Sequence, residues 1–223
     1  MDSYITIIYR SSKMKEISNK YQRKNMKNEN KMGKKLYSVG ESYWIFYNGI
    51  RTMKYMSKAK KNQELHPKFI ERIMLAVTEV NDCTICSYAH TKKALESGMS
   101  NEEIQKMLTG IMDDVPEDEI AAVMFAQHYA DTRGHPTPES WRRILKIYGA
   151  SRAKGILGSI RTIMVGNAYG IAWSSFFNRL RGKSDPRSSL LYESSMILGT
   201  VLMPISLIHA LISNLLKKPI IIF

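Results

Sequence analysis

From Val39 to Met56 the apolar and aromatic positions Tyr43, Trp44, Phe46, Tyr47 and Ile50 recur broadly at helical spacing. Pro67 fits the first turn of a next helix, and Phe69, Ile70, Ile73, Met74 and Val77 mark its buried face. Asn81-Asp82 breaks that helix, and Asp82 is the expected N-cap of a new one running to about Ser97 and stopping at Gly98. Ser100-Asn-Glu-Glu103 has the spacing of a capping box and opens a short helix with Ile104, Met107 and Leu108 on one face. Pro116 and Asp118 open another, carrying Ile120, Val123, Met124, Ala126 and Tyr129. Thr137-Pro138 is an N-cap followed by proline at the first helical position, and Gly149 closes that helix. Residues 151–180 read as one long helix or two joined ones, with Gly155, Gly158, Gly166 and Gly170 placed to let helices approach closely.

No alternating strand pattern with supporting turns appears, and no repeat of a solenoid period. The pattern therefore predicts an all-α domain over residues 37–183. Two segments differ from it. Residues 1–36 form a basic leader, expected to be a solvated, mobile tail. Residues 188–223 form an apolar carboxy-terminal segment without a formal charge from Ser194 to Leu216. That stretch has the length of a bilayer span, but Pro204, His209, Asn214 and several serines interrupt it. Membrane span, interfacial helix and helix packed on the domain all stay open.

Charge changes the picture less than its size suggests. The net charge is +13, yet residues 9–35 alone hold ten basic and two acidic residues, so +8 of it lies in that stretch. The aromatic residues are spread over apolar faces and form no stacking platform for bases. No nucleic-acid partner is expected. A basic leader next to an apolar tail suits an anionic membrane surface as a partner. The two cysteines are three residues apart, which excludes a secreted disulfide framework. No convincing signal peptide precedes the domain, and a reducing, cytoplasmic setting is expected.

The chemistry lies in the run from Glu71 to His90. Cys83, Cys86 and His90 stand at i, i+3 and i+7, which places all three on one face of a helix. Cysteines at a helix start meet unpaired amides and the positive end of the dipole, which favour thiolate. A histidine one turn beyond Cys86 is placed to take its proton or to protonate a leaving group. Such a set attacks an O–O or S–S bond and resolves as a disulfide. A zinc site is the competing reading: Cys83, Cys86 and His90 supply three ligands, with His66, His128, His135 or His209 as a fourth. None of these histidines has distinctive spacing, and no further cysteine exists for a second knuckle, so neither metal nor other cofactor is expected.

The pattern Glu-x11-Cys-x-x-Cys-x3-His, filled by Glu71, Cys83, Cys86 and His90, resembles the signature of alkylhydroperoxidase D-like proteins in the carboxymuconolactone decarboxylase superfamily. The likeness covers roughly residues 40–180 and is most specific over 68–108. It implies an all-helical, usually oligomeric protein acting on a hydroperoxide or disulfide with a dithiol as electron donor. It implies Cys86 as the peroxidatic thiolate and Cys83 as the resolving partner, more open to an external reductant. His90 and Glu71 would relay the proton of Cys86, with Tyr88 and Glu79 as alternative relays. Ile85 departs from the pattern, since the best-known peroxidases of the family carry a histidine there. The decarboxylases that gave the superfamily its name typically lack the cysteine pair, so its presence argues against lactone decarboxylation. A non-catalytic zinc-binding or redox-sensing module of the same fold is the alternative.

Overall fold

The computed structural model describes residues 36–223, so the expectation for the leader lies, apart from Leu36, outside the described residues. Among these, the chain forms eight α-helices, one 3₁₀ turn and no strand. The helices are α1 (Val39–Lys61), α2 (Pro67–Asn81), α3 (Thr84–Glu96), α4 (Asn101–Leu108), α5 (Glu117–Asp131), α6 (Pro138–Leu180), α7 (Leu190–Gly199) and α8 (Met203–Leu215). The 3₁₀ turn, Thr200–Leu202, joins the last two. The all-α expectation holds.

Local signals place most of the boundaries. Ser38 caps α1 in a reciprocal box with Glu41, and Ser100 caps α4 in a second box with Glu103. The Thr137 hydroxyl accepts from the amide of Ser140, with Pro138 inside the first turn of α6. Gly98, at φ 91°, follows the end of α3 in the left-handed conformation that glycine adopts without strain. Gly149 does interrupt α6, with φ 72° and ψ 166°, and residues 150–180 continue as one limb. One boundary differs from expectation. Asp82 is the left-handed C-cap of α2, at φ 49°, and Cys83 is the N-cap of α3, with no side-chain cap bond. The short polar side chain of aspartate tolerates this conformation, and its carboxylate pairs with Arg187 instead of capping α3.

Helix α2 is the centre of the core. Its residues from Phe69 to Thr78 are all buried, and α3, α4, α5 and α6 pack around it. Arg72, on this buried stretch, is matched by Glu119 at 2.8 Å and Glu103 at 3.2 Å, as a buried cation must be. Helix α1 lies along the long limb of α6. A β-carbon on Gly155 would sit 2.6 Å from Ala59 Cβ, and one on Gly158 would sit 2.8 Å from the Thr52 carbonyl oxygen, so these glycines set the approach. Gly166 does not share that role, because only its own-helix neighbour Ile163 comes within 4 Å of such a carbon.

The carboxy-terminal segment packs on the domain. Arg179 at the end of α6 holds the buried Glu193 of α7 at 2.7 Å, and Met196 is buried beside Ser42. Helix α8 lies along α1: Ser206 donates to the Tyr43 carbonyl at 3.1 Å, and Arg51 donates to Asn214 at 3.4 Å. Beyond α8, Arg51 and Arg161 grip the backbone carbonyls of Pro219 and Ile220, each at 2.7 Å. By length and composition, Leu190–Leu215 is long and apolar enough to cross a membrane.

Candidate active site

The site forms where α2, the start of α3 and the long limb of α6 meet. The left-handed turn at Asp82 leads the chain into Cys83, the N-cap of α3. The Cys83 carbonyl accepts the first helical bond, from Ser87 N, at 2.8 Å. Cys86 follows in the first turn, and the two sulfurs are joined as a disulfide with a Cα–Cα separation of 5.3 Å. Since Cys83 makes no side-chain cap, the first amides of α3 stay available to favour a thiolate once the bond is reduced.

One turn beyond Cys86, His90 is buried on the same side of α3, with Ala94 below it. Its Nδ1 lies 2.7 Å from Oε2 of Glu71, which reaches across from α2. Both side chains are 11% exposed, so this contact is largely shielded from water. An ionised carboxylate only accepts, so towards such a Glu71 it is Nδ1–H that donates, and the neutral imidazole then carries its lone pair on Nε2. The structure thus joins Cys83 to Cys86 and His90 to Glu71.

The other two expected relays are elsewhere. Tyr88 is 78% exposed. Glu79 lies two turns along α2 from Glu71, where it accepts from Gln127 at 3.5 Å and lines the turn at Gly110. Ile85 is half exposed, with its Cγ2 beside Gly170. The order of exposure of the cysteines reverses the expectation: Cys83 is 1% exposed and Cys86 7%. Cys83 follows the turn at Asp82, and its amide donates to the Thr78 carbonyl of α2 at 3.5 Å.

Two further residues shape the site. A β-carbon on Gly170 of α6 would sit 3.2 Å from Cys86 Sγ and 3.4 Å from Cys83 Sγ, so this glycine forms the wall behind the disulfide. The sequence marks it only as one of several small residues in a helix. Arg187 reaches Asp82 at 2.9 Å and ties the loop before α7 to the turn preceding Cys83. That pair spans 105 positions, and no sequence signal announces it.

The histidines weighed for zinc are dispersed. His66 caps α2 and contacts Glu119, His128 accepts from Thr137 N, and His209 lies against Tyr43. Among the described residues no group of three or more His, Cys, Asp or Glu is arranged to hold a metal ion.

Residues 49–127 match the model of the carboxymuconolactone decarboxylase family. Over that stretch the chain is similar to the family. The matched stretch runs from the middle of α1 into α5 and contains Glu71, Cys83, Cys86 and His90. No curated protein and no solved structure matches the chain. The long limb of α6, which supplies Gly170, and the carboxy-terminal helices lie beyond the matched family stretch.

Proposed function

We propose that this domain is a thiol-dependent oxidoreductase of the alkylhydroperoxidase D-like type, reducing a hydroperoxide or a disulfide. One observation carries the reading: a Cys83–Cys86 disulfide in the first turn of α3, followed one turn later by a buried His90 held by Glu71.

In the reduced state, His90 Nε2 takes the proton of Cys86 and the N-terminal amides of α3 stabilise the thiolate. The thiolate attacks the outer oxygen of a hydroperoxide ROOH. An S–O bond forms, the O–O bond breaks, and ROH leaves with the proton returned by His90. Cys83 then gives up its proton and attacks the sulfenic sulfur; the S–S bond forms, the S–O bond breaks, and the hydroxide leaves as water with that proton. An external dithiol reduces the disulfide by exchange and is itself oxidised to a disulfide. With a disulfide substrate, the same two thiols exchange directly and no sulfenic acid forms. Ile85 in place of a second histidine leaves the whole proton transfer to His90 and Glu71, which favours the exchange reaction over fast peroxide turnover. The cysteine pair argues against lactone decarboxylation, which has no use for it.

The test is turnover of cumene hydroperoxide, and of a small aromatic disulfide, with dithiothreitol as donor. Cys86→Ser is expected to abolish both, and Cys83→Ser, reduced and then freed of dithiol, to leave a single turnover ending in a mixed disulfide or sulfenic acid. Full activity in Cys86→Ser would remove the proposal. A zinc-binding module is the competing reading, and metal analysis of protein purified under reducing conditions distinguishes it. Stoichiometric zinc that blocks both thiols would replace the enzyme by that module.

A further inference from the structure

Helices α7 and α8 are turned inside out relative to helices packed on a water-soluble core. The buried positions of α8 are Ser206, Ala210 and Ser213, all small and set against α1, and α7 buries only Glu193 and Met196. Their large aliphatic residues face outward: Leu198 is 71% exposed, Ile208 59% and Leu215 82%, with Ile205, Leu211 and Ile212 beside them. A surface helix in water shows the opposite pattern. A continuous apolar face of this kind marks an interaction surface.

Charge identifies the occupant. The apolar face carries no formal charge between Ser194 and Leu216, and cations stand at both of its ends. Arg181 and Lys183 are exposed just before α7, and Lys217 and Lys218 just after α8. Helix α8 runs alongside α1 in the same direction, so the exposed Lys54 follows Arg51 at the Lys217 end. The acids of this stretch, Asp185 and Glu193, are matched by Arg187 and Arg179. Trp44, half exposed, lies against His209 at 5.7 Å, at the edge of the apolar face where an indole suits a lipid–water boundary. A second copy of the chain fits less well, because pairing two such faces in either direction sets cations against cations.

We infer that α7 and α8 form a docking surface for an anionic lipid bilayer, lying in its headgroup region with the aliphatic face inward. The inner face argues for lying on the membrane and against crossing it. Ser206 donates to the Tyr43 carbonyl, His209 Nδ1 is 3.0 Å from the Tyr43 hydroxyl, and Arg51 holds Asn214. A span would strip all three from their partners in hydrocarbon. The surface stands independently of the redox reading.

Cosedimentation of the full chain with vesicles tests this, comparing phosphatidylcholine alone with phosphatidylcholine containing phosphatidylglycerol. The wild type is expected to bind the anionic vesicles more tightly. The double variant Ile208→Glu, Ile212→Glu is expected to bind at least about tenfold more weakly, while melting as the wild type does because both residues are exposed. Lys217→Gln, Lys218→Gln is expected to weaken binding and to lower its sensitivity to salt. Absence of wild-type binding would overturn the proposal, as would equal binding by the Ile208, Ile212 variant, which would place the contact elsewhere in the chain. A dimer that this variant dissociates, without vesicle binding, would assign the face to a second copy. A chain that leaves cell membranes only in detergent would assign it to a span.

Discussion

Gly170 backs directly onto Cys86: a β-carbon added there would lie 3.2 Å from the sulfur and the same distance from Ile85 Cγ2. The long limb of α6 closes over the disulfide because that position has no side chain. Alanine would gain helix propensity and lose contact geometry, two effects of similar size. A larger side chain has no such offset. Gly170→Leu is expected to destabilise the oxidised protein by about 1–3 kcal/mol, the usual cost of overpacking. Thermal melts of the oxidised forms should show a drop of several degrees, and an unchanged melt would mean that α6 is not seated against the sulfurs.

The Glu71–His90 contact makes a separate prediction about rate. Removing a positioned proton carrier costs roughly 10²- to 10⁴-fold in the proton-transfer step. His90→Ala should lose that much in disulfide or hydroperoxide turnover, with both cysteines still able to form their bond. Glu71→Gln keeps the hydrogen-bonding shape but cannot stabilise an imidazolium, so it is expected to fall between His90→Ala and wild type. Stopped-flow reaction of the reduced protein with a chromogenic disulfide separates the two. Equal rates for wild type and His90→Ala would take the histidine out of the mechanism.

Much of this could be read from the chain, and the reasons are local. The capping pairs Ser38–Glu41 and Ser100–Glu103, the Thr137-Pro138 start and the glycines at 98 and 149 are short-range signals, and the helices follow them. The Glu71, Cys83, Cys86, His90 spacing likewise finds its two contacts, because a helix face and one helix-to-helix crossing are enough to make them. The place of Asp82 is not legible locally, because an aspartate before a helix looks the same whether it caps that helix or ends the previous one. In the fold its carboxylate pairs with Arg187, far along the chain. The relative burial of the two cysteines is likewise not legible locally. Gly170 and the inverted face of α8 are tertiary facts: composition shows that residues are small or apolar but not which side of the helix they occupy.

Acid should act on the cap of α1. The Arg133 guanidinium, 2.6 Å from Glu41, and then the Ser38 backbone and hydroxyl hold the Glu41 carboxyl well below its ordinary value, down to about 2. A carboxylate lowered by folding adds stability above its unfolded pKa of 4.5, and that stability is lost as pH falls from 4.5 towards 2. Both side chains are more than a third exposed, so solvent screening keeps the contribution below about 1 kcal/mol. Glu41→Gln is therefore expected to lower the melting temperature by a few degrees at pH 7 and to match the wild type at pH 2. A difference that persists undiminished at pH 2 would trace the effect to something other than this charge.

Arg51 holds the end of the chain to the domain. It is 2% exposed and donates to neutral acceptors: the carbonyls of Lys218 and Pro219, the Asn214 amide oxygen and the Tyr47 hydroxyl, over whose ring its guanidinium also sits. Hydrogen bonds from a charged group to such acceptors are each worth about 1.5–3 kcal/mol, and a neutral side chain makes none of them. Arg51→Met keeps the bulk of the stem and removes the donors. Because α2 packs on α3 to α6 rather than on α8, the loss should be confined to the tail. Hydrogen exchange is expected to show amides of α8 opening at least about tenfold more often in Arg51→Met, with protection along α2 unchanged. Equal loss of protection in α2 would mean that the carboxy-terminal helices and the core unfold as one unit.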